Sequence, residues 1–119
     1  MTNALRLIPL AAAAVLLSGM VHNHLVKSAP ANGERLASAP KEVRLWFNER
    51  PEIPFTSVTL MHADSTKIAT IKAVATDDSM AAAAPLVTPL PPGKYLVGWR
   101  TASSDGHAIR GILEFSISP

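Results

Sequence analysis

The segment Asp105-Gly106-His107 contains the side chains of this 119-residue chain best suited to chemistry. Because side chains alternate with a period of two along an extended chain, Asp105 and His107 present a carboxylate and an imidazole on the same side. The segment lies between two predicted strands, in a type of connection that often carries functional residues. Taken alone, it is also compatible with an ordinary Asp-Gly turn followed by a surface histidine.

A second group of nitrogen donors lies near the N-terminus, in His22-Asn23-His24. If an exported chain is cut directly after Val21, His22 gains a free α-amine beside its imidazole, and both nitrogens can chelate one metal ion. An α-amine has a pKa of about 7.7–8.0, so it loses its proton to a metal at little cost near neutral pH. Together with Asp105 and His107, these donors form a nitrogen-rich set with one carboxylate, which suits Cu(II).

The remaining histidines receive different interpretations. His24 is either a further ligand or a shield over the site. In a rival geometry it is the third residue of the cut chain and binds Cu(II) with the terminal amine through deprotonated backbone amides. His62 follows Met61 on a predicted strand and is interpreted as an exposed histidine at the strand end. Met61 and Met80 are far apart in sequence, so no Cu(I) site of clustered thioethers is predicted.

Residues 1–21 have the layout of a secretory signal peptide. Met1–Arg6 carries one positive charge, Leu7–Leu17 is almost entirely apolar, and no acidic residue precedes Glu34. The apolar run is about half the roughly 20 residues that a membrane-spanning helix needs. We therefore predict a signal peptide over residues 1–21, one mature domain over residues 22–119 and export to the periplasm.

The exact cleavage point is less well defined by the sequence. A small residue is expected directly before the cut, and cleavage ahead of His22 places Val21 there. Cleavage after Gly19 instead leaves Met20 as the first residue, which removes the amine chelate and makes His22 the third residue.

The composition excludes several classes of site. The chain has no cysteine, so thiolate zinc sites, iron–sulfur clusters and disulfides are ruled out. The basic residues are scattered without interleaved aromatic residues, which argues against a nucleic-acid partner. No Gly-x-Ser-x-Gly or Gly-rich phosphate motif occurs. The chain is predicted to be a monomer and not an enzyme.

Period-two alternation predicts an all-β fold, a Greek-key β-sandwich or barrel of about seven short strands. The segment Ser79–Ala84 has helical propensity and is compatible with one helical turn. Leu86–Thr88, between two prolines, is interpreted as an edge strand. The predicted strands lie around Leu25–Lys27, Val43–Phe47, Val58–Met61, Ile68–Ala73, Leu86–Thr88, Tyr95–Thr101 and Ile112–Ser118.

The chain resembles the CopC family of periplasmic copper-binding proteins. The resemblance is carried by three stretches, His22–Pro30, Pro40–Glu49 and Pro92–His107, the last containing Tyr-x-Val-x-Trp-Arg followed by Ser-x-Asp-Gly-His. It implies a seven-stranded immunoglobulin-like or cupredoxin-like β-barrel. It also implies a Cu(II) site formed by the mature N-terminal histidine with the Asp and His of the Asp-Gly-His segment, which are His22, Asp105 and His107 here. The Met-rich loop of some relatives is absent.

The leading functional hypothesis is a non-enzymatic periplasmic protein that binds one Cu(II) per chain, in copper resistance, sequestration or transfer to a membrane importer. The resemblance implies a membrane copper transporter of the CopD type as a partner. Two alternatives remain open at this point. One is a mononuclear copper oxidase with an N-terminal histidine chelate, and the other is a metal-free β-sandwich interaction module.

Overall fold

The computed structural model describes residues 23–119, which form two β-sheets packed face to face. One sheet has four strands in the order β1-β3-β7-β6, and the other has five in the order β2-β9-β8-β4-β5. Only the pairing of β2 with β9 is parallel. The strands are β1 Leu25–Ala29, β2 Glu34–Leu36, β3 Glu42–Phe47, β4 Ser57–His62, β5 Lys67–Lys72, β6 Val74–Ala75, β7 Ala81–Pro85, β8 Gly93–Ala102 and β9 Ala108–Ile117.

Alternation along the strands places the hydrophobic core between the sheets. On β3, Val43, Leu45 and Phe47 are buried, while Arg44 and Trp46 lie on the outer face. Burying a side chain of this size contributes about 1.5–3 kcal/mol, so the alternation fixes which face of each strand is internal. The same pattern supplies the rest of the core from β4, β8 and β9: Val58, Leu60, Tyr95, Val97, Leu113, Phe115 and Ile117.

The predicted all-β sandwich is confirmed, and two parts of the prediction are corrected. The two sheets remain separate and do not close into a barrel. Residues 23–119 contain nine strands instead of about seven, because β2, β6 and β7 were not predicted as strands, whereas the predicted strand Leu86–Thr88 is absent. A 3-10 turn, Ile53–Phe55, leads into β4. Within residues 23–119, no helix is long and apolar enough to cross a membrane.

The alanine-rich segment is a strand, so its interpretation as a helical turn was wrong. β7 lies between β3 and β6, with Ala82 and Ala84 paired to Leu45 and Val43. All four alanines, Ala81–Ala84, are buried. Small side chains fit here because larger β3 residues lie beside them on both faces, and tertiary packing overrides helical propensity. Leu86–Thr88 lies beyond β7 and is not a strand.

Position 111 on β9 has no room for a side chain, because the indole ring of Trp99 lies against the Gly111 backbone. This gives a first testable prediction. Trp99 pairs with Gly111 across β8 and β9 and contacts Phe47 edge-on at 5.7 Å between ring centroids. A Cβ at Gly111 would lie 2.5 Å from Cζ2 of Trp99. We expect Gly111→Ala to lower the free energy of unfolding by about 1–3 kcal/mol, measured by urea denaturation.

Gly98→Ala is the matched control, because Gly98 lies on the opposite face of β8. A Cβ there would lie 3.4 Å from the terminal methyl of Met61, which is the end of a flexible side chain. We expect Gly98→Ala to have a smaller effect on the unfolding free energy. If Gly111→Ala were at least as stable as the wild type, the proposed clash with Trp99 would be contradicted.

Candidate metal centre

Residues 103–107 form a tight turn between β8 and β9. The Gly106 amide donates to the Ser103 carbonyl at 2.9 Å, and the Ser103 amide donates to the His107 carbonyl at 3.0 Å. Gly106 has a φ of +87°, a conformation that residues with a Cβ rarely adopt. The turn therefore depends on the glycine between Asp105 and His107, and it brings the two side chains together.

Both carboxylate oxygens of Asp105 are engaged within this turn. Oδ1 accepts hydrogen bonds from the Ser103 hydroxyl and, at 3.0 Å, from the His107 amide. Oδ2 lies 2.9 Å from Nδ1 of the His107 imidazole. An aspartate that accepts from the amide two residues later is the usual Asx turn, so the backbone conformation follows from the local sequence. The arrangement orients the imidazole and leaves Nε2 of His107 available for another partner.

The two side chains shift each other's protonation in opposite directions. The hydrogen bond from Ser103, followed by those from His107, lowers the pKa of Asp105 well below its usual range. The hydrogen bond and charge of Asp105 raise the pKa of His107. Both side chains are largely exposed, 63% for Asp105 and 84% for His107, so solvent screens this interaction. Its main effect is therefore to orient the ring.

The second prediction is that Asp105→Asn lowers the pKa of His107 in the copper-free protein, measured by NMR titration of the imidazole. The raised pKa of His107 means that its contribution to stability is present below the ordinary imidazole pKa and is lost as pH rises through the raised value. The lowered pKa of Asp105 means that its contribution is lost as pH falls through the lowered value. An unchanged His107 pKa in Asp105→Asn would show that the pair does not form in solution.

The N-terminal strand leads to the same end of the sandwich. The His24 amide donates to Oδ1 of Asn48 at 2.6 Å, and the Asn48 amide donates to the His24 carbonyl at 3.2 Å. Leu25 then pairs with Phe47 at the end of β3. His22, two residues before His24, lies outside the described residues.

Buried hydroxyl groups connect this end of β3 to the turn. After β3, the Glu52 amide donates to the carbonyl of Ala102, directly before the turn, at 3.1 Å. The Thr56 hydroxyl donates to the Glu52 carbonyl at 2.8 Å and lies 2.7 Å from the Thr101 hydroxyl. Thr56 and Thr101 are both fully buried, so these bonds form in a setting where an unpaired hydroxyl would be costly. The N-terminal strand and the turn therefore lie at the same end of the sandwich, which we call the site end.

The structure brings some of the predicted site residues together and places others apart. Asp105 and His107 are in contact, and His24 lies at the site end. His62 lies at the opposite end of the sandwich, exposed and 6.2 Å from the Tyr95 ring between centroids, as its interpretation as a strand-end histidine requires. Within the described part of the chain, no three His, Cys, Asp or Glu residues are grouped closely enough to hold a metal ion.

Ser103 is the residue of this centre that sequence reasoning did not identify. It is buried, and its hydroxyl donates to Asp105. The available signal was its position two residues before Asp105, within the same short connection between two predicted strands. Ser103 therefore helps to hold Asp105 in the orientation that positions His107.

Comparison with known proteins identifies relatives over nearly the whole described region. The CopC domain family matches residues 25–118. The copper resistance protein C of Pseudomonas syringae pv. tomato is 31% identical over 123 residues, covering 97% of each chain. The crystal structure of CopC from Methylosinus trichosporium OB3b is 28% identical, with a TM-score of 0.75, and the match covers 82% of this chain and 95% of that one.

A third relative is much longer than this chain. The copper transport protein CutJ of Bacillus subtilis is 31% identical over 101 residues. The match covers 84% of this chain and 19% of CutJ, so the chain spans about a fifth of that relative. The similarity therefore concerns only a part of the longer protein.

Proposed function

The chain belongs to the CopC family, and we propose that it is a non-enzymatic periplasmic protein that binds one Cu(II) per chain in copper resistance. The observation that carries the proposal is the contact between Asp105 Oδ2 and His107 Nδ1 at the site end, where the N-terminal strand also begins. The names of the relatives, a copper resistance protein and a copper transport protein, support copper as the bound ion.

The proposed ligands are the α-amine and imidazole of His22, the imidazole of His107 and the carboxylate of Asp105, with His24 as a possible addition. Nitrogen and carboxylate oxygen donors fit Cu(II), and the chain has no cysteine to favour Cu(I). Asp105 and His107 lie together in the turn, with Oδ2 of the carboxylate facing Nδ1 of the imidazole. To hold the ion through its carboxylate, Asp105 would give up the hydrogen bond that Oδ2 accepts from Nδ1 of His107.

The N-terminal chelate requires the chain to begin at His22. We propose that residues 1–21 are a signal peptide removed after Val21, and that residues 22–119 form the mature periplasmic domain. His24 is held by Asn48 at the site end, so a terminus two residues earlier is close in sequence to this anchored position. Mass spectrometry of protein purified from the periplasm identifies the first residue directly.

We propose that the mature domain is a monomer that sequesters Cu(II) or transfers it to a membrane copper transporter of the CopD type. The exposure of the Asp105 and His107 side chains supports transfer of the copper ion to another protein. A site in which ligands lie on a surface turn can pass a metal to a partner without unfolding the sandwich.

A carrier is expected to lose copper on reduction, which is the third prediction. Hard nitrogen and oxygen donors favour Cu(II), whereas Cu(I) prefers thioethers. Of the two methionines in residues 23–119, Met61 lies on β4 and Met80 lies in the turn directly before β7, which belongs to the other sheet, so the two thioethers do not form a cluster. We expect weaker retention of Cu(I) than of Cu(II), measured by competition with chelators specific for each oxidation state.

Oxygen uptake with ascorbate, compared with that of free copper, tests whether the protein is instead a copper oxidase. A carrier consumes no more oxygen than free copper at the same concentration.

Because Met80 adjoins β3 at the site end through a 2.9 Å bond from the Phe47 amide to its carbonyl, Met80→Leu is the matched control for thioether binding. Tight Cu(I) retention with substrate-dependent oxygen turnover would refute the carrier function.

A further inference from the structure

The outer face of the five-stranded sheet carries three basic side chains on one row of paired residues. Ser57 on β4 pairs with Lys72 on β5 and with Arg100 on β8. Arg100 in turn pairs with Arg110 on β9. Neighbouring strands lie about 4.8 Å apart, so the row extends across four strands over about 15 Å. We call Lys72, Arg100 and Arg110 the basic row.

No acidic partner neutralises the basic row within residues 23–119. All three side chains are exposed. None of them takes part in an ion pair among residues 23–119. The acidic residue on the same face of β9, Glu114, pairs with Lys94 at 3.2 Å. Like charges directly opposite each other destabilise a sheet, so the juxtaposition of Arg100 and Arg110 carries a cost in the free protein. A bound anion would remove that cost.

The basic row borders a groove that can receive such an anion. Gly98 is central to it, because Thr59 on β4 and Ile112 on β9 pair with Gly98 from either side and Gly98 has no side chain between them. The groove has a volume of about 570 Å³, and its lining includes Ser57, Thr59, Arg100 and Arg110. Hydroxyl and guanidinium donors therefore surround the same open space.

We propose that this groove binds a phosphate-bearing anion. Two adjacent arginines present planar forks of N–H donors that match phosphate oxygens, and the hydroxyls of Ser57 and Thr59 supply further donors. A phosphate monoester carries about 1.5 to 2 negative charges at neutral pH, so it balances the row better than a single carboxylate does. The anion is either a free phosphate compound or a phospholipid headgroup, since both present the same chemistry.

The site is separate from the proposed copper ligands and does not depend on them. Arg100 and Arg110 precede and follow the turn by at least two residues and project from the outer sheet face, whereas Asp105 and His107 lie in the turn itself. Failure of copper binding therefore leaves this proposal untouched, and failure of anion binding leaves the copper proposal untouched.

The test uses the copper-free mature protein and two probes, inorganic pyrophosphate and vesicles of phosphatidylcholine containing phosphatidic acid, whose headgroup is a phosphate monoester. NMR signals of the Arg100 and Arg110 side chains report on binding. We expect these signals to shift with at least one probe and Arg100→Gln/Arg110→Gln to weaken that binding by about tenfold or more. Arg35→Gln/Lys67→Gln removes the same charge from exposed positions elsewhere and should retain most of the binding.

A charge reversal separates binding from folding. In Arg110→Glu, the new carboxylate faces Arg100 across the two strands, so the melting temperature should be unchanged or higher while anion binding is lost. Binding to pyrophosphate alone identifies a free phosphate compound, and binding to vesicles alone identifies a headgroup. Arginine signals that shift with neither probe, or equal losses in the two double variants, would overturn the proposal.

Discussion

Adding one glycine before His22 is expected to weaken Cu(II) binding by at least about a hundredfold. The extension converts the α-amine of His22 into a peptide nitrogen and removes the chelate that the amine and the imidazole form together. Losing a residue that only orients a metal ligand typically costs 10–100-fold in affinity, so losing a direct ligand should cost more. Competition titration with a Cu(II) chelator measures the change.

The matched control carries the same glycine after Pro119, at the other terminus of the chain. It should bind Cu(II) as the unextended mature protein does. His24→Ala, with the native terminus, tests the backbone-amide geometry, because unchanged affinity in this variant would exclude that geometry and any other ligation by His24. Unchanged affinity in the N-terminally extended protein would show that copper does not use the terminal amine at all.

His107→Ala is expected to reduce Cu(II) affinity by a similar factor while leaving the sandwich folded. The His107 side chain is 84% exposed, so its removal creates no cavity in the core. Its backbone amide still donates to Asp105, and its carbonyl still accepts from Ser103. Far-ultraviolet circular dichroism checks the fold, and chelator competition checks the affinity.

His62→Ala is the control for this substitution, because it removes the same imidazole from an exposed strand end at the opposite end of the sandwich. It should bind Cu(II) normally. Asp105→Asn provides a further comparison, since the amide oxygen can still accept from the His107 imidazole but carries no charge. If Asp105 is a ligand, the substitution weakens binding; wild-type affinity would limit Asp105 to orienting the ring. Normal affinity in His107→Ala would remove this residue from the site.

The sequence predicts those parts of the fold in which neighbouring residues alternate strictly. β3, β4, β8 and β9 have large apolar side chains at every second position, so their core faces can be identified without knowing their partners. β2 was not predicted because its parallel pairing with β9 joins Glu34 to Phe115, far apart in the chain. β7 was misinterpreted because alanine favours helices unless packing dictates otherwise, and that packing is not local.

In the candidate site, too, local sequence predicts some features and cannot predict others. The sequence predicted that Asp105 and His107 lie on one side of an extended chain, whereas in the structure a tight turn with a positive φ at Gly106 brings them into contact. The position of this turn near the N-terminal strand depends on bonds such as that from Glu52 to Ala102, which no local pattern reveals. The contribution of His22 itself lies outside the described residues and remains a prediction.

The proposed copper site is tested most directly by titrating Cu(II) into the mature protein that begins at His22, with electron paramagnetic resonance as the readout. It predicts one tightly bound Cu(II) per chain, with nitrogen couplings from the terminal amine and the imidazoles of His22 and His107. Selective ¹⁵N labelling of histidine should change those couplings, and His107→Ala should remove one of them. A spectrum identical in wild type and His107→Ala, or no copper retained against a competing chelator, would contradict the proposed site.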